Sequence, residues 1–107
     1  MAKQLPFNLA YAPVVHDHLA AFEAKYDSLI RRKVEEQLKF EPNVETRNRK
    51  PVQPPNAFQA EWELRFGPNN RFRVFYQIDQ EAHEVRIVAI GVKEGNRLLV
   101  GGEEVTL

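Results

Sequence analysis

Cysteine is absent from the 107 residues, so no disulfide framework is possible and a reducing compartment poses no difficulty. No apolar run approaches bilayer-spanning length, and the start, Met1, Ala2, Lys3 and Gln4, lacks the apolar core of a secretory leader. A cytoplasmic location with no membrane partner is therefore expected. Serine occurs once, as Ser28, and with only Asp27 beside it this residue suits a helix cap better than a nucleophile. Histidine is scarce: His16 and His18 stand two positions apart, on different faces of a helix, which argues against a paired metal site, and His83 falls in a turn. Gly101 and Gly102 are too isolated to cradle a phosphate, and no Walker or dinucleotide pattern is present. Neither metal nor cofactor is implied. Internal repeats and low-complexity tracts are missing too.

What remains is 43% hydrophobic and 28% charged, ordinary for a globular protein, and long enough for one domain over residues 1–107 with a core of its own. The formal net charge of +0 hides a gradient. Residues 1–43 balance, residues 44–76 carry six cationic side chains against three carboxylates, and residues 77–107 carry the reverse. A local basic excess is the footprint expected for nucleic acid or another polyanion.

Along the chain, residues 7–11 form a candidate strand closed by Ala12 and Pro13, and proline suits the first turn of the helix expected next. Val15, Leu19, Phe22 and Tyr26 recur at helical spacing and Ile30, Val34 and Leu38 continue the stripe. Asp27 and Ser28 can cap a second helix, so the region reads as a two-helix hairpin ending at Glu41-Pro42. Residues 43–57 combine Pro51, Pro54 and Pro55 with Arg47, Asn48, Arg49 and Lys50 and show neither helical nor strand periodicity.

Residues 61–76 then alternate strictly: Trp62, Leu64 and Phe66 before a turn at 67–71, and Phe72, Val74 and Tyr76 after it. If both apolar sets face one core, Phe66 opposes Phe72, Leu64 opposes Val74, and Arg65 opposes Arg73. Like charges directly opposite are destabilising on their own, so this face is expected to meet an anion, with Glu63 as the internal neutraliser. Residues 85–92 read as a central strand, and the same parity places Val85, Ile87, Ala89, Gly91 and Lys93 beside Arg65 and Arg73. Residues 98–100 add a short last strand or lie against the sheet. The expected architecture is α+β: an N-terminal strand, a two-helix hairpin, then an antiparallel meander of three or four strands, with helices on one face and the other face open. Arg65, Arg73 and Lys93 around a floor without bulk suit a phosphate, arginine being able to make bidentate contacts, and the basic loop would overhang it. Phe75 on that face can stack a base. The plainer alternative is a solvated face with Glu61 and Glu63 as ion-pair partners.

Through Trp62-Glu63-Leu64-Arg65, Arg73-Val74-Phe75-Tyr76 and Val88-Ala89-Ile90-Gly91-Val92-Lys93, following two helices and a Lys50-Pro51 loop, the chain resembles the RelE/ParE superfamily of toxins from bacterial toxin–antitoxin modules. The resemblance runs from about Phe7 to Lys93. For the ribonuclease branch it implies a metal-independent, ribosome-associated mRNA endoribonuclease in which the ribose 2′-hydroxyl attacks the adjacent phosphate. Arg73 and Lys93 would then stabilise the phosphorane, Arg65 would hold the scissile phosphate, and Arg47, Arg49, Lys50, Arg71 and Phe75 would contact RNA. A cognate antitoxin is implied as partner. The chain also departs from that branch. Glu63 stands where a lysine is common, and Leu98, Leu99 and Val100 occupy the place of an expected tyrosine, so the general base is unassigned, with Glu63 either serving or pairing with the arginines. The resemblance therefore admits the ParE branch as well, whose members inhibit DNA gyrase by binding it, or a toxin-derived domain without activity.

Overall fold

A computed structural model describes residues 5–107; residues 1–4, and with them the reading of the leader, lie outside the described residues. The elements run β1 (Asn8–Tyr11), α1 (Val14–Ala20), α2 (Ala24–Leu38), β2 (Arg49–Pro51), β3 (Trp62–Phe66), β4 (Phe72–Asp79), β5 (Glu84–Glu94), β6 (Arg97–Val100) and β7 (Glu103–Val105). The fold is α+β, with β2 to β7 antiparallel in sequence order and β1 parallel to β5. Among the described residues, no helix is long and apolar enough to cross a membrane.

Pro13 caps α1 with helical backbone angles, the geometry its ring imposes. The second helix begins at Ala24 behind an extended Glu23, one turn earlier than Asp27 and Ser28 suggest. Asp27 does not cap; it accepts a hydrogen bond from Arg31 Nε at 2.7 Å, the i,i+4 pairing open to a side chain already inside the helix. Ile30, Val34 and Leu38 on α2 and Val15 and Leu19 on α1 are buried against Leu64, Phe66, Phe72, Val74 and Tyr76 of the hairpin. Each such side chain contributes about 1.5–3 kcal/mol by leaving water. The Tyr76 hydroxyl donates to the Pro42 carbonyl at 2.6 Å, which satisfies a buried phenol. Burial pushes that phenol well up from its ordinary value, with Arg49 opposing, so it stays protonated and able to donate.

The β3–β4 register pairs Leu64 with Val74, Arg65 with Arg73 and Phe66 with Phe72, as the alternation predicts. On β5 the parity argument holds only partway. Phe75 pairs with Ala89 and Tyr76 with Ile87, so Val88 is an extra residue in a β-bulge. Gly91 and Ala89 keep the face of Arg73, but Val85 and Ile87 cross into the helix-side core, because one added residue exchanges the two faces for everything beyond it.

The second face is not left open. Phe75, Ala89, Leu98, Val100 and Ala60 form a smaller buried cluster there, covered by Val52 and Phe58 from the proline-bearing loop and by Val105 from β7. That loop also contributes β2, which its lack of periodicity conceals at three residues. Gly91 permits the covering hairpin to sit close: a Cβ there would lie 2.5 Å from the Leu99 carbonyl oxygen. The end of this face nearest the β3–β4 and β5–β6 turns is accessible, and Arg65, Arg73 and Lys93 gather there.

Candidate functional site

Register arranges the second face in rows across the sheet. Lys50, Glu63, Phe75 and Ala89 form one row, and Arg65, Arg73, Gly91 and Val100 the next. One step further toward the turns, the Lys93 amide donates to the Arg71 carbonyl at 2.7 Å, and Lys93 pairs with Leu98 of β6. The space over Gly91, beside Arg73, is taken by β6, and the hairpin register alone brings Arg65 and Arg73 together.

Glu63 resolves their repulsion. One carboxylate oxygen accepts from Arg65 Nε at 2.7 Å and the other from Arg73 Nη1 at 3.3 Å. The Glu63 side chain is 7% exposed, against 12% for Arg73 and 38% for Arg65. Charge-assisted bonds so shielded from water are the stronger kind. Arg73 is held a second time, by Nε donating to the Asn70 carbonyl in the turn at 2.8 Å. Asn48 clamps Arg65 from the edge of the sheet: its carbonyl accepts the Arg65 amide at 2.7 Å and its side-chain amide donates to the Arg65 carbonyl at 2.8 Å. With both oxygens engaged, Glu63 orients two guanidiniums.

Glu63, Arg65, Arg73 and Lys93 line one cleft of about 310 Å³, whose other wall comes from Asn96, Leu98 and the segment 104–107. A second cleft of about 440 Å³ adjoins it, lined by Arg71, Lys93, Glu94 and the turn residues Pro68, Asn69 and Gly95. Lys93 belongs to both. Among the described residues no carboxylate lies within ion-pair distance of its ammonium. No group of three or more potential metal ligands occurs among the described residues.

Two of the expected RNA contacts are otherwise occupied. Arg49 is 8% exposed, and its guanidinium donates to the Gln37 carbonyl at 2.7 Å and the Val44 carbonyl at 3.0 Å, tying the loop to the end of α2. It points into the helix side because Arg49 pairs with Leu64, whose phase is that of the core. Phe75 is 0% exposed and packs on Phe58 with ring centroids 5.3 Å apart, so the covering loop takes the stacking surface. Arg47 is exposed in the loop, and Lys50 shares the row of Glu63 but pairs with Glu45 at 3.4 Å.

Asn48 and Asn70 escaped the sequence reading. Both act largely through backbone carbonyls, which leave no residue-type signature; the one available signal was Pro68-Asn69-Asn70, a run suited to the positive φ that Asn69 and Asn70 adopt. Chemically, the arrangement offers fixed cations at the mouth of a cleft, suited to oxyanions of phosphate rather than to a carbonyl or an apolar ligand.

No family model matches the sequence, and no curated protein matches it significantly. Among solved structures, a chain of the toxin–antitoxin complex RelBE2 from Mycobacterium tuberculosis aligns over 87% of this chain and 98% of its own length, with a TM-score of 0.68 and 19% sequence identity. The strand, the helix pair and the antiparallel sheet that carries the basic clefts thus make up a fold that is also found in that toxin–antitoxin complex.

Proposed function

We propose that this chain is the toxin of a toxin–antitoxin pair and that its basic cleft acts on messenger RNA at the ribosome. The observation that carries this reading is the convergence of Arg65, Arg73 and Lys93 in one cleft, joined to a fold shared with a toxin–antitoxin complex. In this reading the 2′-hydroxyl gives its proton to water and attacks the neighbouring phosphate, the P–O5′ bond breaks to leave a 2′,3′-cyclic phosphate while O5′ takes a proton from water, and Arg73 and Lys93 stabilise the charge that accumulates on the non-bridging oxygens. Arg65 holds the phosphate against them. Such prepositioned cations act where charge develops and need no reorganisation at the moment of reaction. An antitoxin would neutralise the chain by covering this basic face.

One observation favours a second reading, a toxin that works by binding a target such as DNA gyrase: both Glu63 oxygens are engaged by arginines, which removes the nearest carboxylate from service as a general base. Primer-extension mapping of transcripts after induction separates the two. Cuts within translated codons, reduced about 10²–10³-fold in Arg73→Ala, are expected for the nuclease. Growth arrest with intact transcripts would instead establish the binding mode, and unchanged cutting in Arg73→Ala would remove the cleft from the mechanism.

A further inference from the structure

The two cation pairs at this end of the sheet differ in how they are compensated. Arg65 and Arg73 share a carboxylate that is 7% exposed and gives each of them one oxygen. Arg71 and Lys93, one step nearer the turns and joined by the Lys93 amide to Arg71 carbonyl bond, share none. The nearest acid, Glu94, is half exposed and lies 3.9 Å from Arg71 Nη2, a distance at which a surface pair is weak. Arg71 Nε is buried and has no hydrogen-bond partner, and such an unpaired donor is costly until something accepts from it. Both groups keep a net positive charge, but the Arg71–Lys93 pair has no shielded carboxylate between its members and is the less firmly compensated of the two.

We propose that Arg71 and Lys93 form the docking position for one phosphodiester of a single-stranded nucleic acid, with the adjacent phosphate entering the cleft of Arg65 and Arg73. This rests on the reading of the face as an RNA-handling surface and adds to it a second phosphate position and a direction of travel. Three features support it. Lys93 lines both clefts, so a bound chain passes from one to the other over a shared cation. Arg71 immediately precedes β4 and Arg73 lies within it, so their Cα atoms are at most about 7 Å apart, within the reach of one nucleotide. Asn69 at the edge of one cleft and Asn96 at the edge of the other offer amide donors and acceptors of the kind that meet unpaired base edges.

The test is titration of the folded protein with a fluorescent, uncleavable 2′-deoxy pentanucleotide at several salt concentrations, with inorganic phosphate and poly-glutamate as separate probes. Arg71→Gln and Lys93→Gln should each weaken oligonucleotide binding by about tenfold and lower the slope of log K against log salt by about 0.7, the value of one single-strand phosphate contact. Inorganic phosphate should shift the amide resonances of Arg71 and Lys93 before those of Arg65. If Arg73→Gln weakens the complex while Arg71→Gln and Lys93→Gln do not, the docking pair is wrong and the RNA-handling reading stands. If the unaltered protein binds no pentanucleotide, both fall. Poly-glutamate binding as tightly as the oligonucleotide, with the same dependence on Arg71, would reassign the pair to an acidic protein partner. Arg71 is 43% exposed at its side chain, and a melting temperature unchanged in Arg71→Gln separates lost binding from lost fold.

Discussion

Glu63 takes one hydrogen bond from each of two arginines while almost fully shielded, so a single oxygen-to-nitrogen exchange is felt at both. Glu63→Gln keeps the shape and removes the charge, leaving Arg65 and Arg73 facing each other uncompensated. The expected outcome is a loss of about 1.5–3 kcal/mol in stability, the usual worth of hydrogen bonds to charged groups, read as a lower urea midpoint at unchanged slope. The same change should tighten phosphate binding at the cleft, because the internal anion no longer competes. A gain in phosphate affinity alongside a loss in stability is a signature that a general base would not produce. Tighter packing alone would not produce it either.

At the scale of elements, β5 decides what the second face looks like. At Gly91 β6 lies close against β5, and any side chain there meets the Leu99 carbonyl and Val100. Gly91→Ala should cost about 1–3 kcal/mol by overpacking and should displace the β6–β7 hairpin, seen as a lower midpoint and as faster hydrogen exchange at Leu98 and Val100. The hairpin register and the opposed arginines were legible in the sequence, since alternation in β3 and β4 leaves one pairing that buries both apolar sets. The two-helix stripe was legible for the same reason, through Ile30, Val34 and Leu38. The bulge at Val88 was not. Residues 85–92 are apolar on both faces, so no alternation marks where the phase changes, and the bulge moved Val85 and Ile87 from the basic face to the core. The covering of Phe75 was hidden likewise, because Phe58 and Val52 sit in a proline-bearing loop whose path depends on tertiary packing rather than on periodicity.

For the molecule as a whole, the helix layer and the sheet are joined at His18, 8% exposed on α1, whose Nδ1 accepts the Ile90 amide of β5 at 3.2 Å. Accepting requires the neutral ring. Burial lowers this histidine's pKa from the ordinary 6.5, with the Asp17 carboxylate opposing. The unfolded chain therefore binds the proton more readily, and the stability His18 contributes is complete above about pH 6.5 and is lost as the pH falls from there through the lower folded value. Denaturation midpoints should decline as the pH falls below about 6.5, and His18→Gln should flatten that decline. An equal decline in the variant would assign it to carboxylates elsewhere.

The edge of β5 away from β4 is divided end to end, its first half held by β1 and its second by β6. Asn8 waits for Glu84, so a chain emerging amino end first carries an unpaired leading strand until nearly all of its length has been synthesised. The cleft of Arg65 and Arg73 comes later still, since its wall includes segment 104–107. A nascent copy thus lacks the completed cleft for most of its synthesis, and it exposes to its surroundings an unfinished strand well before that cleft is assembled.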